Sequence, residues 1–237
     1  MDLKEARQAT LSQDTHWYYV SKACALRQAL GRREPARIVD VGAGTGFFAK
    51  MLLRETSAVG AVCIDSGYEE DTIETENQKP IAFRRRGVVG DADVVLMMDV
   101  LEHVDDDVAL LREFAAEAAA GTRFVVSVPA FSWLWSPHDE FLEHRRRYTL
   151  GGLLRVVSAA GLVPVSGFYF FASVFPAVAA QRFASRLLRT TRPPASDLRE
   201  HSRSTNRLLA WIGRAESSIA RHNRLFGLTA FAVGEKR

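Results

Sequence analysis

Apolar positions along the chain keep two different spacings, and the spacing changes back and forth. Short runs rich in Val and Ile, ARIVDV (36–41), AVGAVCID (58–65), IAFRRR (81–86), DVVLMMD (93–99) and RFVVSVP (123–129), predict β-strands. LVPVSGFYFF (162–171) and GLTAFAVGE (227–235) predict two more. Between them apolar residues recur at helical spacing, in KACALRQALGRR, GFFAKMLLRET, DDDVALLREFAAEAAAG and TLGGLLRVVSAAGL. This alternation predicts an α/β fold with a mostly parallel sheet. Four of the first five runs are apolar on both faces, as central parallel strands must be. IAFRRR ends in charge and reads as an edge. Gly31 is placed to cap a helix C-terminus, three acids open DDDVALL where the helix dipole favours them, and Thr149 is positioned as an N-cap.

About fifty residues separate the last two strand candidates, more than a sheet connection needs. TTRPPASD divides this insert into two helices. In the first, Arg182, Arg186 and Arg189 share a basic stripe beside an apolar one of Ala179, Phe183 and Leu187. In the second, Leu208, Leu209, Trp211, Ile212 and Ile219 supply the apolar side. Three readings stay open: a cap packed on the domain, a dimer interface, or an interfacial element for anionic lipid. The chain thus divides into N-terminal helices over the site (1–36), a core (37–172 with 225–237) and a helical insert (173–224).

At the end of the first strand stands RIVDVGAGTGFFAK (37–50). A strand-to-helix turn in a parallel sheet lies at its carboxyl edge, where backbone N–H groups face outward. Gly42, Gly44 and Gly46 follow G-x-G-x-G, not the G-x-G-x-x-G of dinucleotide enzymes. Asp40 just before the loop repels a pyrophosphate and welcomes a cation, which points to an ammonium- or sulfonium-bearing nucleoside. Asp65 ends the next strand about 20 residues on, where an acid accepts from ribose hydroxyls.

Composition narrows the picture little. The 237 residues are 47% hydrophobic and 25% charged, with a net charge of +3, so no basic footprint for nucleic acid stands out. Two cysteines, Cys24 and Cys63, have no metal-binding spacing, and reduced thiols and no metal are expected. The opening residues carry no apolar signal run, and Phe168–Ala180 is too short to span a bilayer, so a cytoplasmic protein is expected, with membrane-surface contact through the insert.

With VDVGAGTG, CIDSGY and ADVVLMMDVLEHVDDD in view, the chain resembles the class I S-adenosylmethionine-dependent methyltransferases. VSVPAFSWLWSPHDEFLEHRRRYTLGGLLRVVSAAGL is similar to their type 11/type 12 small-molecule branch. The resemblance implies a Rossmann-like three-layer sandwich with a seven-stranded sheet, its last strand antiparallel. It implies S-adenosylmethionine as cofactor, with Asp40, Gly42, Ala43, Gly44 and Gly46 near the methionine portion and Asp65 and Ser66 at the ribose. Met98, Asp99 and Val100 would flank the cofactor. The loop RRRGVVGDA is short for this family and leaves the adenine contact open, Asp91 being the nearest acid.

Methyl transfer needs a base only when the acceptor must lose a proton. His103, one turn beyond the fourth strand, and His138, in the loop after the fifth, are the candidates; a structural role remains open for each. His16, Trp17 and Tyr18 at the N-terminus, with Trp135, Arg146 and Tyr148, are candidates for the acceptor pocket. HRRRY is also placed to pair with the acids of DEFLE. The expected reaction is transfer to oxygen or nitrogen of a small or lipid-linked metabolite, by a monomer or homodimer. The rivals are an RNA or protein methyltransferase and a non-catalytic cofactor-binding partner.

Overall fold

The computed structural model describes residues 12–188, 193–198 and 201–237. Helix α1 (Trp17–Leu30) leads into β1 (Arg37–Val41), α2 (Phe47–Glu55) and β2 (Gly60–Ile64). A hairpin, β3 (Thr72–Glu76) and β4 (Lys79–Arg84), precedes β5 (Val94–Met98), α3 (Asp107–Glu117) and β6 (Arg123–Pro129). Then come α4 (Pro137–Phe141), α5 (Leu150–Ala159), β7 (Val163–Phe170), α6 (Phe175–Leu187), α7 (Arg203–Ala220) and β8 (Thr229–Glu235). The sheet runs β3-β4-β2-β1-β5-β6-β8-β7. The pairs β4–β2, β2–β1, β1–β5 and β5–β6 are parallel, and β8 lies antiparallel between β6 and β7.

Alternate strand residues feed two cores, as strand geometry requires. Ile38, Leu96, Met98 and Phe231 pack with residues of α1 and α2 on one face. Val39, Val95, Val126 and Ala232 pack with Leu111 of α3 and Leu153 of α5 on the other. The result is the expected three-layer sandwich with one inserted antiparallel strand. The helix ends follow their sequence signals: Gly31 has φ 67, Asp106 accepts from Ala109 N at 2.8 Å, and Thr149 accepts from Gly152 N at 3.1 Å.

The sheet has eight strands rather than seven, and β4 is not its edge. The extra strand comes from the acidic stretch, where Thr72–Glu76 pairs antiparallel with β4 through a two-residue turn. Asn77 (φ 49) and Gln78 (φ 60) both sit left-handed, the arrangement that a tight hairpin with strand-matching twist needs. The strand's charged alternation reflects its exposure. Ile73 is 68% exposed, and glutamates along an edge discourage pairing with another chain.

The insert packs on the domain through small side chains. Helix α7 crosses α1 so closely that a Cβ on Gly213 would collide with Ser21 Oγ. Its buried residues are Gly213, Ser217 and Ala220, small side chains that let two backbones approach. The large apolar residues face out: Leu208, Trp211 and Ile219 on α7, Phe183 and Leu187 on α6. Helix α6 buries none of its residues. Arg189, the third member of the basic stripe, lies outside the described residues.

Candidate active site

The loop between β1 and α2 lies at the carboxyl edge of the sheet's centre. Gly42, Gly44 and Gly46 all take positive φ, at 65, 56 and 72. The space is as restrictive as the dihedral: a Cβ on Gly42 would lie 2.6 Å from Val100 Cγ2. Gly42 N and Ala43 N donate to Ile64 O at 2.7 and 3.3 Å, tying the loop to the end of β2. Asp65 links the two turns. Its Oδ2 accepts from Gly44 N and its Oδ1 from Gly67 N, both at 2.9 Å. A carboxylate has about four lone-pair sites, so each oxygen retains capacity for an incoming hydroxyl. Ser66 is exposed on the same turn.

Behind the loop, Asp40 is buried and its Oδ2 has no hydrogen-bond partner. Burial pushes its acid up to about 7. An orphaned carboxyl oxygen behind a glycine cradle fits a nucleoside carrying positive charge and does not fit a pyrophosphate. Asp91 pairs with Arg37 before β5, away from the sheet's carboxyl edge, and so stands apart from this cradle.

Across the cradle, β5 ends in Met98, which is buried, and Asp99, a non-glycine residue held at φ 58. Ser127 Oγ donates to Asp99 Oδ1 at 3.2 Å, and the ammonium of Lys22 pairs with Oδ2. Lys22 is fully buried within α1, and its Nζ also contacts Tyr18 OH at 3.3 Å. Burial works against the Asp99 carboxylate, but the Lys22 charge outweighs it and holds the acid below its ordinary value.

A cavity of about 420 Å³ opens beside Asp99. Trp17 and Tyr18 of α1, Leu134 and Leu142, and Val178 of α6 give it apolar walls. Glu102, His103, His138, His144 and Arg147 give it polar ones. Tyr18 stacks on Phe171 with ring centroids 5.2 Å apart, which fixes the wall's position. His138 Nδ1 accepts from Asp197 N at 3.1 Å, and burial lowers its pKa.

Glu102 is fully buried, and neither carboxyl oxygen has a hydrogen-bond partner. Burial, then the neighbouring Asp99 charge, push its acid well above the ordinary range. Facing it are His103 and His144, whose ring centroids lie 4.8 Å apart. His144 Nδ1 lies 3.0 Å from Asp139 Oδ1. Arg147 grips the same carboxylate with Nε at 2.7 Å and Nη2 at 2.9 Å, and Ser136 N donates to it at 2.9 Å. Burial opposes its charge, but the bonds from His144 and Arg147 prevail and hold Asp139 well below the carboxylate range.

The arginine run does structural work around this cluster. Arg145 donates from its N to Glu102 O at 2.7 Å and from Nε to His103 O at 2.8 Å. Arg146 donates to Val104 O at 2.9 Å and pairs with Asp107 at 3.4 Å. Tyr148 OH donates to Asp107 Oδ2 at 2.7 Å. Arg147 pairs with Asp139 of DEFLE. Arg146 and Tyr148 thus brace the loop after β5 and are not on the cavity wall. Trp135 also lies off that wall, its carbonyl 3.4 Å from Arg186 Nη2. His16 is buried against Trp17 and Tyr19, and Trp17 and Tyr18 are on the wall. The sequence reading passed over Lys22 and Glu102. A lone lysine on an otherwise apolar helix face was the one available signal for the first.

The sheet thus carries a glycine cradle, a buried acid behind it and an adjoining cavity, an arrangement suited to a nucleoside ligand. Residues 16–166, more than half of the chain, match the methyltransferase domain family, and the chain belongs to it. The chain is 28% identical over 151 residues to the ubiquinone biosynthesis O-methyltransferase of Aeromonas salmonicida strain A449. That match takes in 54% of this chain and 63% of the relative, so it spans less than two thirds of that enzyme. Among solved structures, coclaurine N-methyltransferase bound to N-methylheliamine and SAH is similar, with a TM-score of 0.57 and 11% identity over 92% of this chain and 73% of that one. The [4+2]-cyclase SpnF has a TM-score of 0.56 and 14% identity, over 96% and 84% of the two chains. These likenesses show the fold alone. No helix among the described residues is long and apolar enough to cross a membrane.

Proposed function

We propose that this enzyme methylates an oxygen or nitrogen atom of a small or lipid-linked metabolite held in the 420 Å³ cavity beside Asp99. The single observation that carries the reading is the cavity itself: apolar walls for a ring or chain, and imidazoles of His103 and His138 on the polar side. Bound S-adenosylmethionine supplies a methyl group on an activated sulfonium centre.

The protein's part is positioning and exclusion of water. Asp40, Gly42, Ala43, Gly44 and Gly46 hold the amino-acid end of the cofactor, Asp65 and Ser66 its ribose, and Met98 to Val100 its flank. Trp17 and Tyr18 orient the acceptor, and its proton goes to His103, or to His138 once Nδ1 is released from Asp197 N. Phe183 and Leu187, exposed on the helix that supplies Val178 to the cavity, favour an acceptor with an apolar chain. The modest net charge of +3 disfavours RNA as acceptor.

The test is turnover against a panel of phenols, catechols and amines, with and without alkyl chains, read as S-adenosylhomocysteine release. Turnover of at least one member is expected, with His138→Ala lowering kcat by about 10²-fold or more where the acceptor must be deprotonated. Cofactor binding without turnover of any member, together with methylation of RNA or protein, would refute the acceptor class.

A further inference from the structure

We propose that Glu102, His103 and His144 form a binding site for one divalent transition-metal ion, of the zinc or cobalt kind, in the wall of the acceptor cavity. One donor atom from each residue lies within 4.8 Å of the other two. Small side-chain rotations close such a set around an ion with bonds of about 2.0–2.2 Å. Two imidazoles with one carboxylate suit a transition metal better than magnesium or calcium.

The second observation is the state of Glu102. It is fully buried, it faces the cavity, and both its oxygens lack partners. Lys22, the ammonium that acts on it electrostatically, is engaged by Asp99. A buried carboxyl group left this way is costly, and protonation alone still leaves a donor and an acceptor unmet. A cation bound between it and the histidines satisfies the group.

The surroundings are built to hold the ligands in place. Asp139 Oδ1 lies 3.0 Å from His144 Nδ1, and an Nδ1–H directed at that carboxylate leaves Nε2 to a ligand. A carboxylate behind a ligating imidazole is the usual outer support of a metal-bound histidine. Arg147 and Ser136 fix that carboxylate in turn. Arg145 fastens the carbonyls of Glu102 and His103 to the residue next to His144, joining the two segments that carry the ligands. No regular spacing announces the set, because His144 lies on a different loop from Glu102 and His103.

Such an ion has coordination positions left for an acceptor hydroxyl and lowers the pKa of an oxygen bound to it. That role, unlike the site itself, rests on the acceptor reading above. His103 then serves as a ligand rather than as a base.

The experiment uses the full chain without a histidine tag, stripped with chelator and titrated with Co²⁺ alone by visible absorption, then with Zn²⁺ in competition. One equivalent of Co²⁺ is expected to develop ligand-field bands that Zn²⁺ removes. Glu102→Gln and His144→Ala should each weaken binding by more than about tenfold, since disturbing even an outer support costs that much. His222→Ala, at an exposed histidine elsewhere, should leave it unchanged. Thermal melts identify any variant that has lost its fold, and Glu102→Gln preserves the side chain's shape. Failure to take up Co²⁺ or Zn²⁺, or uptake indifferent to both ligand variants, overturns the site. S-adenosylhomocysteine binding is measured on the same samples. Its retention without metal uptake removes the metal site and leaves the methyltransferase reading standing, whereas metal uptake without it does the reverse.

Discussion

Asp40 is the residue whose energetics the proposed cofactor site engages most directly. Its acid is carried from 3.8 in the unfolded chain to about 7 in the fold, because burial disfavours the charged form and Oδ2 has no partner. Between those values the native state holds a proton that the unfolded chain has released. Stability therefore falls as pH rises through this window and levels off above about 7. The displacement costs the native state about 4 kcal/mol once both states are ionised. Asp40→Asn removes the titration while keeping the shape. The free-energy difference between variant and wild type should move in the variant's favour by about 4 kcal/mol from about pH 4 to about pH 8. Urea unfolding followed by tryptophan fluorescence reads it, and effects of other acids cancel in the difference. S-adenosylhomocysteine at saturation brings an ammonium to the site and should flatten the wild-type slope. A variant–wild-type difference that does not change with pH would refute the burial argument. An unchanged slope with ligand would refute the link between Asp40 and the cofactor.

Two further expectations test the neighbouring parts. Lys22→Met strands the Asp99 carboxylate and should cost about 3 kcal/mol in chemical denaturation, more than half of it recovered by adding Asp99→Asn; an additive pair would contradict the coupling. Gly42→Ala combines a positive φ with a Cβ 2.6 Å from Val100 Cγ2, and should cost about 2 kcal/mol. Adding Val100→Ala should relieve the collision but not the dihedral cost, so full recovery would show that the dihedral is unstrained.

Most of the sheet could be read from the sequence because parallel central strands are apolar on both faces, as Val94–Met98 are throughout. Strand β3 was hidden because its TIETE pattern is that of a solvated edge, and the Asn77–Gln78 turn lacks a glycine. The glycine loop was legible because its glycines and acids lie on consecutive strand ends, where spacing and topology coincide. The cavity beside Asp99 was not. Glu102 and His144 are 42 positions apart and meet where Arg145, Arg146 and Tyr148 fasten one loop to the other. Lys22 reads as a surface lysine until the fold brings Asp99 to it. The packing of the insert was not legible for a physical reason: α7 buries glycine, serine and alanine to approach α1, leaving Leu208, Trp211 and Ile219 outside.

The central claim is that the Gly42–Gly46 loop, with Asp65, holds S-adenosylmethionine. Calorimetric titration of the purified chain with S-adenosylhomocysteine tests it most directly, with NAD as competitor and Asp65→Ala and His138→Ala alongside. The account predicts one site per chain, indifferent to NAD and weakened far more by Asp65→Ala than by His138→Ala. Binding of NAD in its place, or equal losses in the two variants, would contradict it.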